Sequence, residues 1–283
     1  MSVAMGLAAR TTQKLIRHPF FAFRPLLMPL LFFIAFTGAL SGFTDTKGFT
    51  YYQYTAFVIV VILYMAPVMT GIFTGFDIAG DFEGGLGKRM MLATPRRMSI
   101  VAGYLVVSFC RAALSMAIVF LVGFILGLKV HGNAFEIAGI VGYGLVLNLA
   151  VTLYGAGIAL RFQSSAAGTL IFIPTYIVMF MTPVFVPRSE LTGWLKFAAG
   201  INPFTPPIES GRGLMAGAPT KVGLASACVL GLLAFGTVFA ITGMRKAERG
   251  PSAKAKRGRG PGARRSKEGG GKPAAGGAGA HAG

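Results

Sequence analysis

Residues 53–76 read QYTAFVIVVILYMAPVMTGIFTGF, without a single charged side chain. A helix crosses the ~30 Å hydrocarbon core of a bilayer with about 20 predominantly apolar residues, so this run is long enough by itself. Five further stretches on either side have the same character: 25–43, 100–128, 135–160, 166–187 and 222–243. Each is continuous, where the strands of a membrane barrel would be short and alternating, and helices satisfy their own backbone groups within lipid. The reading is an all-α integral membrane protein with six transmembrane helices.

Composition agrees. Of 283 residues, 54% are hydrophobic and only 13% charged, against about 25% charged in an ordinary soluble domain. Orientation follows from the basic residues, which accumulate on the cytoplasmic side of membrane proteins. With both termini inside, the cytoplasmic segments hold Arg10, Lys14, Arg17, Arg24, Lys88, Arg89, Arg96, Arg97 and Arg161, and the C-terminal tail adds more. The outer segments hold only Lys47, Lys129, Arg188, Lys196, Arg212 and Lys221. Half of the net charge of +18 lies in the tail, residues 244–283, which is otherwise Gly, Ala and Pro. It has almost nothing to bury and reads as disordered, a topology anchor touching anionic lipid headgroups. It has no aromatic residue for stacking on bases, so nucleic acid is not the expected partner.

The expected order is a cytoplasmic N-terminal segment over 1–24, a six-helix domain over 25–243 and the tail. Arg10, Lys14 and Arg17 share a helical face before His18-Pro19, which predicts an interfacial helix. Between the second and third spans, DIAGDFEGGLGKRMMLATPRRMSI (77–100) reads as acids and a glycine cluster followed by a short amphipathic helix stopping near Pro95. Such a helix suits docking onto a soluble partner. In this reading Glu83 caps exposed N–H groups of that helix. The fifth span carries Pro174, Pro183 and Pro187 and should be bent or broken, with neighbours satisfying the freed carbonyls. Residues 188–220 read as an outer re-entrant helical element, in which Glu209 and Arg212 are spaced to pair at i, i+3.

Self-contained chemistry is hard to find. Gly84-Gly85-Leu86-Gly87-Lys88 suggests a phosphate loop, but Phe82 and Arg89 stand where a Walker A motif needs Gly and Ser/Thr. Asp77 and Asp81 would need a second acidic cluster to act as a membrane prenyltransferase, and none exists. Cys110 and Cys228 fall in apolar blocks, and His18, His131 and His281 are scattered, so neither a disulfide nor a metal site is expected. Arg111 is best placed at the inner interface, reaching headgroups rather than lining an ion path. The glycines of the GxxxG pattern at Gly123–Gly127 and of the fourth span read as close packing within one protomer in preference to a dimer seam. A secondary transporter or channel is the rival class, but the apolar blocks have no acid away from their ends for ion coupling.

Three stretches, in this order, resemble the membrane subunits of type-2 ABC exporters, especially daunorubicin-resistance permeases. The first is Glu83-Gly84-Gly85-Leu86 through Leu92-Ala93-Thr94-Pro95-Arg96-Arg97 and then Ile100-Val101-Ala102-Gly103. The second is Arg111 before a short apolar span ending in Gly127. The third is Ile201-Asn202-Pro203-Phe204, then Ile208-Glu209 and Arg212-Gly213-Leu214. The resemblance covers roughly residues 5–245. It departs from the family at Gly85, where Thr is usual, and at Lys88-Arg89, where an acid or neutral residue is common.

The resemblance implies a permease subunit in a bacterial plasma membrane. It would export a hydrophobic or amphiphilic substrate, whether drug, antibiotic or lipid. ATP and Mg would be bound by a separate ABC ATPase subunit, with no cofactor on this chain. Two protomers, identical or different, would form the transporter. Glu83, Gly85, Leu86, Leu92, Pro95 and Arg97 would receive the ATPase motion, and Asn202, Pro203, Glu209 and Arg212 would form an outer gate. The first and fifth helices would face the opposing protomer. An aromatic, adaptable substrate path would then draw on Phe32, Phe33, Phe36, Phe172, Tyr176, Met179 and Phe180.

Overall fold

A computed structural model describes residues 19–42, 51–93, 97–184 and 186–248. The expected interfacial helix around Arg10–Arg17, the Pro95 turn and the tail beyond Glu248 lie outside them. The described elements are α1 (Pro19–Leu40), α2 (Tyr54–Glu83), α3 (Leu86–Ala93), α4 (Met98–Ile125), α5 (Ala134–Phe162), α6 (Ala167–Phe180), α7 (Gly193–Ile201), α8 (Thr205–Met215) and α9 (Val222–Glu248). A short 3-10 turn, Arg188–Glu190, precedes α7. No strand occurs among the described residues. Five helices are long and apolar enough to cross a membrane: α1, α2, α4, α5 and α9. The chain is a multi-pass membrane protein.

The helix containing the 53–76 run is the hub. Almost every residue of α2 from Tyr54 to Gly75 is buried, and it packs most extensively on α5, then on α4 and α1. Its 30 residues amount to about 45 Å at 1.5 Å per residue, well beyond a ~30 Å core. Asp77, Asp81 and Glu83 therefore ride on a helical extension, not in the loop the sequence suggested. Two of them are tied sideways to α4: the Tyr104 hydroxyl donates to Asp81 at 2.5 Å, and Arg111 pairs with Asp77 at 3.2 Å. Arg111 thus lies against α2, with only a tenth of its side chain exposed.

A buried polar knot fixes α2, α4 and α5 against one another. The Asn148 amide of α5 donates to the Pro67 carbonyl of α2 at 2.8 Å and to the Ser108 hydroxyl of α4 at 3.0 Å. Ser108 also bonds Thr152 at 2.9 Å. Two turns further on, the backbones of α2 and α5 meet where a Cβ on Gly75 would lie 3.2 Å from the Gly155 Cα. Small residues permit that approach, and it lets dispersion and the polar knot act together. Gly144 and Gly157 also serve packing within the chain, against Met116 and the Phe239 carbonyl respectively. In the GxxxG pattern, Gly123 packs on Ile59 of α2, while Gly127 takes a left-handed turn at φ 78°.

The fifth apolar block is where the fold departs most from a plain span. Its helix α6 has 14 residues, about 21 Å, and ends at Phe180 just before Thr182-Pro183. From there the chain runs through the 3-10 turn into the hairpin of α7 and α8.

Candidate functional site

Three regions carry the residues singled out from sequence. At its C-terminal end, α2 stops at Glu83 and reverses through Gly84-Gly85 into α3. Gly85 adopts φ 80°, a left-handed conformation that disfavours any Cβ and a β-branched residue most of all. Threonine, which the resemblance would lead one to expect here, would be strained in that conformation. Gly87 then lets α3 lie over the Phe82 ring. Leu86 is half-buried, whereas Leu92 is 88% exposed at the far end of α3. Arg97 supplies the N-cap position of α4.

Glu83 does not cap α3. Its carboxylate accepts hydrogen bonds from the Ser165 N–H, at 2.6 Å, and from the Ser165 hydroxyl. Side chains lean toward the N-terminus of their own helix, so the last residue of α2 turns back toward the α5–α6 connection and away from the following helix. The connection between α5 and α6 is thereby joined to the one between α2 and α3.

Along one side, α1 and α6 share an aromatic strip. Phe36 and Phe32 lie 6.1 Å apart, Phe32 meets Phe180 edge-on at 6.1 Å, Phe180 meets Tyr176 at 4.5 Å, and Tyr176 stacks on Phe172 at 4.9 Å. All five are partly exposed. Phe33 and Met179, expected with them, are instead fully buried in the core, because each lies one residue round the helix from the strip.

At the opposite end of the bundle from Glu83, Asn202 and Arg212 hold the C-terminal end of α6. The Asn202 amide donates to the Val178 carbonyl at 2.5 Å, and its oxygen accepts from Phe204 N–H at 2.9 Å. Arg212 is buried over the Phe57 ring, 3.4 Å from its centroid. It donates to the carbonyls of Phe57 (3.1 Å), Pro183 (2.8 Å) and Val184 (3.1 Å). Burial lowers its guanidinium to about 10, which leaves it cationic at neutral pH. The expected Glu209–Arg212 pair does not form. Glu209 binds Lys221 at 2.8 Å and approaches Arg188 at 3.9 Å. The reason is local: the proline-interrupted segment presents carbonyls without helical donors, and an arginine with five N–H groups satisfies several at once. Pro203 lies in the turn that carries Asn202 into α8. The three prolines of 166–187 were the sequence signal for these partners, although nothing in the sequence named them. No cluster of His, Cys, Asp or Glu among the described residues could hold a metal ion.

Residues 4–216 match the family model described as ABC-2 type transporter. The chain is 27% identical over 225 residues to a daunorubicin resistance ABC transporter permease protein of Streptomyces coeruleorubidus. The match covers 78% of this chain and 77% of that relative.

Proposed function

The chain belongs to the ABC-2 type transporter family, and from that premise we propose that it exports a hydrophobic or amphiphilic substrate using ATP hydrolysed on a separate ABC ATPase subunit. It is a membrane subunit of an ABC exporter. The observation that best supports borrowed ATP energy is α3, a short charged helix that ends in the exposed Leu92 and is braced on the end of the buried hub α2. A helix placed in this way passes a push from a soluble subunit into the membrane domain. Glu83 relays it to α6 through Ser165, with Gly85, Leu86, Pro95 and Arg97 shaping the docking surface.

In this reading α6 and residues 181–187 together make the fifth of six crossings. Both basic termini then lie in the cytoplasm of a bacterial cell, and the tail rests on anionic lipid. The exposed faces of α1 (Leu27, Leu31, Ile34) and α6 (Leu170, Ile173, Ile177) meet a second protomer. The aromatic strip at their junction offers π-faces to a flat amphiphile. The relative's name, which attaches it to daunorubicin resistance, supports a drug-like substrate of that kind. Asn202, Pro203 and Arg212 fix where α6 ends, and together with Glu209 they form the outer gate.

The test is daunorubicin accumulation in inverted membrane vesicles carrying the chain with and without an ABC ATPase subunit. ATP-dependent accumulation is expected only with both. ATP turnover by the purified chain alone, or ATP-dependent transport without the partner, would overturn the reading.

A further inference from the structure

A second apolar feature lies on the side of the bundle formed by α5 and α9, away from the aromatic strip. A cavity of about 320 Å³, lined almost wholly by apolar atoms, opens between α5, α6, α9 and the start of α8, with Val151, Tyr154, Val178, Phe204, Leu232 and Phe235 in its walls. From it a continuous aromatic wall descends toward the cytoplasmic ends of α5 and α9. Tyr154 lies 6.0 Å from Phe235 and 5.2 Å from Phe239, and the latter two are 5.0 Å apart. The wall ends at Arg161, whose guanidinium stacks on Phe239 at 4.3 Å and donates to the Thr242 hydroxyl at 2.5 Å. That bond uses one of five guanidinium donors. Arg245 and Lys246, both exposed, stand three and four residues beyond Thr242, on the same helical face.

Depth and charge select the occupant. Tyr154 is two helical turns from Arg161, about 10 Å, and Ala150, at the far side of the cavity, is about 16 Å away. Half of a hydrocarbon core is roughly 15 Å, so the cations sit at inner headgroup depth when the cavity sits near the midplane. A second copy of the chain would meet an apolar wall ending in cations that make no ion pair among the described residues. A phospholipid matches both parts, with its phosphate on the cations and its chain along the rings. We propose that this column holds one inner-leaflet glycerophospholipid with an anionic headgroup, its phosphate on Arg161, Arg245 and Lys246 and an acyl chain running along Phe239 and Tyr154 into the cavity.

The experiment is native mass spectrometry of the purified full-length chain, exchanged into detergent with equal amounts of phosphatidylglycerol and phosphatidylcholine of identical chains. Wild type should retain phosphatidylglycerol preferentially. Arg161→Gln should lower that retention about fivefold, the factor a surface cation contributes, with phosphatidylcholine unchanged, and Arg161→Lys should keep most of it. Val178→Trp, which fills the cavity, should lower retention of both lipids. The basic tail is present in every variant and cancels from the comparison. Equal retention of the two lipids by wild type overturns the proposal, as does loss in Arg161→Lys equal to that in Arg161→Gln. If Arg161→Gln fails to fold, Arg245→Gln with Lys246→Gln carries the test on exposed side chains. Unchanged phosphatidylglycerol retention in that double variant overturns the headgroup site.

Discussion

Glu83 accepts a 2.6 Å hydrogen bond from the backbone N–H of Ser165, 82 residues further along the chain. The last residue of the buried hub helix is thereby fastened to the turn that starts α6. In the proposed coupling, movement at the base of α2 would reach α6 through this bond without passing through the packed core, whose density resists gradual deformation.

Glu83→Ala should therefore reduce substrate transport several-fold while membrane insertion and expression stay near wild type. Ser165→Pro, which removes both the N–H and the hydroxyl, should do the same. In a double-mutant cycle the two losses should fall well short of adding. Additive losses would mean that the two residues act separately.

Leu92 is 88% exposed at the end of α3, so its replacement removes nothing from the fold of the chain. Leu92→Asp should leave thermal unfolding unchanged and abolish co-purification of an ABC ATPase subunit, because it places a charge in an apolar contact. Full ATPase recovery on affinity capture would move the docking surface elsewhere.

Arg212 and Glu209 should differ sharply in weight. Arg212→Met strands the carbonyls of Phe57, Pro183 and Val184, and an unsatisfied buried acceptor costs about 1–3 kcal/mol. The variant should unfold at markedly lower temperature, and Asn202→Ala, which strands the Val178 carbonyl, by a smaller step. Glu209→Ala removes a contact with the partly exposed Lys221 and Arg188 and should cost under ~1 kcal/mol. Thermal unfolding of the three purified proteins measures this order, and equal shifts for Arg212→Met and Glu209→Ala would refute it.

Topology is open to direct labelling. In a background lacking Cys110 and Cys228, a cysteine at the exposed Ser189 should react with an impermeant thiol reagent added to intact cells. One at Ser99, beside the start of α4, should react only after the membrane is opened. Reaction at Ser99 in intact cells would contradict the arrangement of six crossings.

The apolar blocks were legible in the sequence because hydropathy sums over contiguous residues. The second block, 53–76, reappears inside α2 and the last, 222–243, inside α9, with only the ends displaced. The short helix after Gly84-Gly85 was likewise local, announced by glycines and an amphipathic run. What the sequence could not determine was the partner of each charged side chain. Spacing favoured Glu209 for Arg212, three residues away, yet the arginine spends its donors on carbonyls at Pro183, Val184 and Phe57, the last 155 residues away. Glu83 likewise bonds to Ser165 and passes over the helix that follows it. In both cases tertiary structure decides, because a backbone group left without a donor or acceptor in a dry interior costs more than an exposed ion pair returns. Which groups are left so becomes fixed only once α2, α6 and the outer hairpin have packed.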